Sequence, residues 1–381
     1  MAYSTVVENF LRYVKIDTQS SEETSDKVPS TDKQRTLAKL LQQELTALGA
    51  AKVRYDEAHS YVYAEIPSNI EGAADVPAVG FIAHMDTAPA VSGANVSPRI
   101  IEDYDGNDIV LNQEKKIVTY VSEFPMLRDC KGKKLIVTDG NTLLGGDDKA
   151  GVAEIMAMTA YLLAHPEVKH GKVCVGFTPD EEVGNGVEYF DIKGFGADYA
   201  YTVDGGMLGD LSYECFHAAG AVLTVTGKSV HPGYAKNIMK NAVKLAYEFH
   251  AALPDECPEN TEGYEGFYHV DSMKGTVEQA VAEYIIRDHD RAKFEERKAV
   301  FLKTAEILNQ KYGAGTFQVK ITDSYCNMRE MIEQNMQIVD NAVEAMRQAG
   351  VEPKISAIRG GTDGARLSFD GTEASISFIP V

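Results

Sequence analysis

The chain has 381 residues, 44% of them hydrophobic and 25% charged, which suits two or three globular domains with a sizeable core rather than a disordered polymer. Its 57 acidic side chains against 37 basic ones leave a formal net charge of −20. That balance withholds the positive field that a nucleic-acid backbone or an anionic membrane surface needs, and it favours small-molecule business.

The apolar run over 76–83 is far shorter than the roughly 20 residues of a membrane helix, and no basic segment followed by an apolar stretch opens the chain, so a cytoplasmic place is expected. Five cysteines, at 130, 174, 215, 257 and 326, form no CxxC pair and read as reduced thiols.

In chain order, Leu37, Leu40, Leu41, Leu45 and Leu48 share one face of a helix predicted over 32–48, with Gly49 as its stop. Two strands follow: Val62, Ala64 and Ile66 alternate with Tyr61, Tyr63 and Glu65, and the apolar run 76–83 reads as buried. Residues 88–134 carry scattered Gly, Asp and Asn with short strand-like pieces, an excursion beside a site. A helix over 150–163, a strand over 173–177 and another over 199–203 complete a pattern of helices alternating with buried strands. The expectation is an α/β domain with a mostly parallel sheet and helices on both faces.

The middle of the chain differs. A strand at 221–226, a helix at 238–253, strands at 266–274 and 276–286, a helix at 291–312 and a strand at 318–323 give the order β-α-β-β-α-β, a ferredoxin-like split βαβ unit. Helix then returns at 335–350, and a glycine-rich turn at 359–369. The predicted organisation is a discontinuous domain of residues 1–214 and 328–381, interrupted by an inserted unit at 215–327.

Four clusters of acidic or imidazole residues stand just after buried strands: His84 and Asp86 in "FIAHMDT", Asp147 and Asp148 in "LLGGDDKAG", Glu181 and Glu182 in "GFTPDEEVG", and Asp204 in "YTVDGG". In open α/β sheets the functional crevice lies beyond the carboxyl ends of the strands, so these loops can converge. One imidazole with several carboxylates suits zinc, with cobalt or manganese as substitutes, and the absence of thiolates argues against a zinc finger. Each cluster also has a plainer reading: a hydrogen-bonded structural histidine, a helix cap at Asp147 or Asp148, a solvated acidic loop, a turn aspartate before two glycines. Four plain readings at four strand ends together are improbable. Asp86, two residues beyond His84 on the same side of an extended strand, can hold the imidazole through its other nitrogen.

The runs "HMDT", "LLGGDDKAG", "FTPDEEVG", "YTVDGG", "VHPG", "TEGYEGFYH", "YIIRD" and "IRGGTDGA" resemble the peptidase T aminotripeptidases, of the zinc metallopeptidase family that also includes carboxypeptidase G and aminoacylase. The resemblance runs from "DTQS" at Asp17 to the turn at Gly360. It implies two zinc ions bridged by Asp147, with His84 and Asp204 completing one site and Glu182 belonging to the other. It makes Glu181 the general base and gives Asp86 the task of holding His84. His231 would stabilise the oxyanion, and Arg287 would pair with the carboxylate of a tripeptide, against plainer readings as a turn histidine and a strand arginine. The inserted unit becomes a substrate-binding lid that could also pair two chains.

The family's second zinc site is completed by a histidine near the C-terminus, whereas this sequence has none beyond His289. An incomplete second site is therefore an expectation. It leaves as alternatives an inactive metal or peptide binder, or a related dipeptidase or aminoacylase.

Overall fold

The computed structural model describes residues 2–72, 75–369 and 375–378. The chain divides into two compact units: residues 1–211, 335–354 and 370–381 form the first, and 212–334 with 355–369 the second. The span predicted as one returning segment, 328–381, is thus shared between them. Residues 355–369 are held in the second unit by backbone bonds such as Ile358 N–H to Glu214 O at 2.9 Å.

The first unit opens with helices α1 (Ala2–Tyr13) and α2 (Gln34–Leu48) and strands β1 (Ala51–Tyr55), β2 (Val62–Ile66) and β3 (Val79–His84). An excursion of short strands follows, β4 (Arg99–Ile101), β5 (Ile109–Asn112), β6 (Ile117–Thr119) and β7 (Leu135–Val137), paired β4 with β7 and β5 with β6. Then come α3 (Gly146–Ala164), β8 (Val173–Thr178), α4 (Ile192–Phe195), β9 (Tyr199–Val203) and β10 (Asp210–Leu211). The second unit supplies β11 (His217–Thr226), α5 (Ala242–Ala252), β12 (Phe267–Gly275), β13 (Gln279–Asp288), α6 (Arg291–Tyr312), β14 (Phe317–Tyr325) and the short α7 (Arg329–Ile332). Among the described residues α8 (Gln337–Gln348), β15 (Lys354–Ile355), α9 (Asp363–Leu367) and β16 (Ser375–Phe378) follow.

The main sheet has the order β1-β2-β8-β3-β9-β16-β10-β15. Its centre is parallel (β8, β3, β9, β16), while β1, β2 and β10 join antiparallel. On one face α1, α2 and α3 bury Phe10, Tyr13, Leu37, Leu41, Leu45, Val152 and Met156 against Val62, Ala83, Val175 and Val203. On the other, Phe190 and Phe195 pack on Tyr61 and Tyr63. A Cβ on Gly80 would lie 2.5 Å from the Phe195 ring, so glycine there makes room for α4. Both Tyr61 and Tyr63 are buried, and only Glu65 of the alternating set is partly exposed, because β2 is covered on both faces.

The second unit is an antiparallel sheet, β12-β13-β11-β14, in the ferredoxin-like order. Helices α5 and α6 cover one face through Leu245, Phe249, Phe294, Phe301 and Leu308, packed on Leu223, Val225, Tyr284 and Ile286. The helix predicted from 238 begins only at Ala242. Asn241 caps it, its side chain accepting from the N–H groups of Val243 and Lys244 at 3.1 and 3.3 Å.

Candidate metal centre

Three parallel strands of the first unit, β3, β8 and β9, end beside one another, and each hands its acidic or imidazole residues to the same rim. His84 closes β3 and is buried. Asp204 follows β9 directly, and Glu181 and Glu182 open a 3-10 turn shortly after β8. Asp147 and Asp148 stand in the first turn of α3, with non-helical backbone and a cis peptide between them. Gly151 lets that turn approach: a Cβ there would lie 1.9 Å from Val203 O and 2.5 Å from Asp148 Oδ1.

The structure brings His84, Asp147 and Asp204 together, their donor atoms within 4.8 Å of one another. His84 Nε2 lies 2.8 Å from Asp147 Oδ1 and 3.9 Å from Asp204 Oδ1. On the far side of the ring, Nδ1 is 3.2 Å from Asp86 Oδ1. Burial opposes a charge on His84, but the hydrogen bonds to Asp147 and Asp86 and the charge of Asp204 outweigh it and raise its pKa well above the usual value. The hydrogen bond from His84 holds the Asp147 carboxyl below its ordinary value.

Asp148 has a structural task. It is wholly buried, its Oδ2 accepts the His84 N–H and its Oδ1 the Gly151 N–H, both at 3.1 Å, so it pins strand β3 to the start of α3. The helix-cap reading left open for the pair thus falls to Asp148, while Asp147 faces the imidazole. Asp86 is equally buried and does more than hold His84. Its two oxygens accept the backbone N–H groups of Glu181 and Glu182 at 3.0 and 3.3 Å, joining the β3 loop to the β8 loop.

Glu182 stands outside the group of three donors, yet it shares their field. Burial, reinforced by the negative charges of Asp147, Asp86 and Asp204 and opposed by His84, pushes its carboxyl up to about 7. Burial likewise raises Asp204 to about 6, with Asp147 adding to it. A rim on which several carboxylates raise one another's pKa around a single imidazole is short of positive charge. A divalent cation supplies it, and one nitrogen with carboxylate oxygens is a donor set that such ions accept. The residues present therefore fit a metal ion.

His231 and Arg287 belong to the second unit. His231 precedes the 3-10 turn 232–234, is exposed, and accepts the Gly233 N–H on Nδ1 at 3.1 Å. Arg287 sits on β13 with its guanidinium 5.9 Å from the Phe267 ring centroid and Nη1 donating to Arg359 O at 3.3 Å. Its Nε is buried with no hydrogen-bond partner among the described residues. Sequence reasoning missed Arg359, whose guanidinium binds Thr261 O and Oγ1, Gly263 O and Glu265 O at 2.8–3.2 Å. It thereby ties the "TEGYEGFYH" loop to the "RGGTDGA" turn. In that turn the cap is Thr362, which accepts the Gly364 N–H at 3.1 Å.

Among the described residues no helix is long and apolar enough to cross a membrane. All five cysteines are free thiols.

The profile of the peptidase dimerisation domain family matches residues 213–316. The chain is 54% identical over 367 residues to a peptidase T of Clostridium acetobutylicum, an alignment covering 96% of this chain and 89% of the relative. Among solved structures, the aminopeptidase PepT of Bacillus cereus superposes with a TM-score of 0.75 at 21% identity, covering 99% of this chain and 90% of that one. A tripeptidase of Staphylococcus aureus does so with 0.74 at 22%, covering 99% and 89%. These two likenesses speak for the fold.

Proposed function

The chain belongs to the peptidase T family, and on that premise we propose that it is a cytoplasmic, zinc-dependent aminopeptidase that releases the N-terminal residue of tripeptides. The observation that carries the reading is the cluster of His84, Asp147 and Asp204 at the ends of β3 and β9, with Asp86 linking His84 to the loop of Glu181 and Glu182. His84, Asp147 and Asp204 would hold one ion, and Asp147 with Glu182 a second. When bound, such ions supply Lewis acidity to water and to the scissile carbonyl.

The chain's own residues do the rest. Glu181 takes the proton of the attacking water and delivers it to the leaving amine, so that one carboxylate serves as base and then as acid. Asp86 fixes the ring of His84 through Nδ1, leaving Nε2 for the ion. His231 donates to the oxyanion of the tetrahedral intermediate, and Arg287 pairs with the free carboxylate of the peptide; its Nε, buried with no hydrogen-bond partner among the described residues, supports an anion partner. Residues 213–316, matching a dimerisation domain, pair two chains into a homodimer.

The test is release of the N-terminal amino acid from an unblocked tripeptide with and without a chelator, beside di- and tetrapeptides and an N-acetylated tripeptide. Chelator-sensitive release confined to the free tripeptide is expected. Turnover that survives complete metal removal, or that persists in Glu181→Ala, would overturn the reading.

A further inference from the structure

The N-terminal segment 16–34 touches three of the four loops that carry the site. Ile16 O accepts the Lys149 ammonium at 2.7 Å, next to the Asp147–Asp148 turn. Ser20 donates its N–H and hydroxyl to Thr87 O at 3.1 and 3.2 Å, one residue beyond Asp86. The tightest contact is on Asp180, the residue before Glu181. Its carboxylate accepts the Ser30 N–H at 2.5 Å, the Ser30 hydroxyl at 2.6 Å and the Gln34 Nε2 at 2.6 Å, while its own N–H donates to Gln34 Oε1 at 3.1 Å. Ser30, Gln34 and Asp180 are buried.

An aspartate at the entrance to a helical turn ordinarily turns its carboxylate onto the N–H groups of that turn. Asp180 makes no such bond. Its backbone is left-handed, φ 52°, a conformation that aspartate tolerates, and its carboxylate is drawn to Ser30 and Gln34. The Glu182 N–H, the second of the turn, is thereby left for Asp86, which also accepts that of Glu181. Two carboxylates thus divide the work: one is anchored in the N-terminal segment, and the other takes the turn.

We propose that Gln34 and Ser30 are positioning residues for Glu181, acting through Asp180. They hold the Asp180 carboxylate away from the 181–183 turn, so that Asp86 keeps its hold on the N–H groups of Glu181 and Glu182, from which the Glu181 side chain starts. The proposal rests on the reading of Glu181 as the base. Without the clamp, the Asp180 carboxylate competes with Asp86 for the Glu182 N–H and the turn that carries the base shifts, an error to which proton transfer is far more sensitive than substrate binding.

The experiment exchanges donor and acceptor across the clamp in the full chain: Gln34→Glu, Asp180→Asn, and the two together. Each single change sets two acceptors or two donors against each other, while the double restores the pairing with the charge conserved. Each single variant is expected to lose about tenfold or more in kcat with KM within about twofold. Metal content by elemental analysis should stay at the wild-type value, and the double variant should recover most of the loss. Ser30→Ala, a milder change should the others fold poorly, is expected to lower kcat in the same sense, and Ser30→Thr to keep it. Wild-type kcat in Gln34→Glu and Ser30→Ala, a double variant no better than the singles, or losses that follow metal content would each overturn the proposal. A Glu181→Ala variant with full turnover would instead remove the base reading beneath it.

Discussion

One oxygen of the Asp86 carboxylate lies 3.0 Å from the Glu181 backbone nitrogen and 3.2 Å from His84 Nδ1, so the proposed base and the proposed imidazole ligand hang on a single buried atom. Asp86→Ala strips three donors of their acceptor at once. Turnover should fall about 10–100-fold, the range found for groups that hold a ligand in place. Wild-type kcat in this variant, measured with metal content, would show that His84 and the 181–183 turn are fixed by other means.

Metal should act on stability as well as on rate. Ions that bind the folded chain alone raise the free energy of unfolding, by about 2.7 kcal/mol at a hundredfold excess over Kd. Thermal unfolding of the wild type should move up with added zinc and down with a chelator. His84→Ala removes the only nitrogen of the three-donor cluster, and its midpoint should respond weakly to either. An equal response in both proteins would place the stabilising ion elsewhere.

Glu154, on α3, is pushed up to about 7 by burial. A carboxyl whose pKa is higher folded than unfolded keeps its proton in the native state. Its contribution to stability is therefore whole below the unfolded value near 4.5 and fades as pH rises through 7. Glu154→Gln, neutral throughout, should show a flatter fall in stability between pH 4.5 and 7 than the wild type in denaturant titrations. Parallel curves would mean that Glu154 titrates normally.

Gly151→Ala tests the close approach of α3 to β9. The added methyl group would meet Val203 O and Asp148 Oδ1, and the helix start has to move. The expected cost is about 1–3 kcal/mol or more, with activity reduced because Asp147 departs from Asp204. A variant with unchanged unfolding midpoint and kcat would mean that the turn can yield freely.

Strands and helices whose apolar rhythm matches their burial are legible in the sequence: the spans 199–203 and 291–312 coincide with β9 and α6. The meeting of His84 and Asp204 follows from their places at the ends of the neighbouring parallel strands β3 and β9, whereas Asp147 follows no strand of that sheet and reaches them from the first turn of α3. The sequence reading does not find the helix Ala2–Tyr13, although Val6, Phe10 and Tyr13 share a face packed into the core. The Ser30 and Gln34 contacts leave no local trace, since their partner Asp180 lies about 150 positions away and polar loops have no period. Asp147 and Asp148, adjacent and identical in kind, could be told apart only by what each one faces.

The position of β16 sets a clock on the making of the protein. This strand, Ser375–Phe378, fills the gap between β9 and β10, although the entire second unit is synthesised between Val203 and Ser375. A ribosome adding ~5–20 residues per second leaves one edge of β9 bare for on the order of ten seconds. That edge reads Tyr-Ala-Tyr-Thr-Val, an aromatic and β-branched stretch of the kind that recruits stray strands. Asp204 follows it directly, so one of the three clustered donors sits at the end of a sheet still half-zipped while the nascent chain waits for β16.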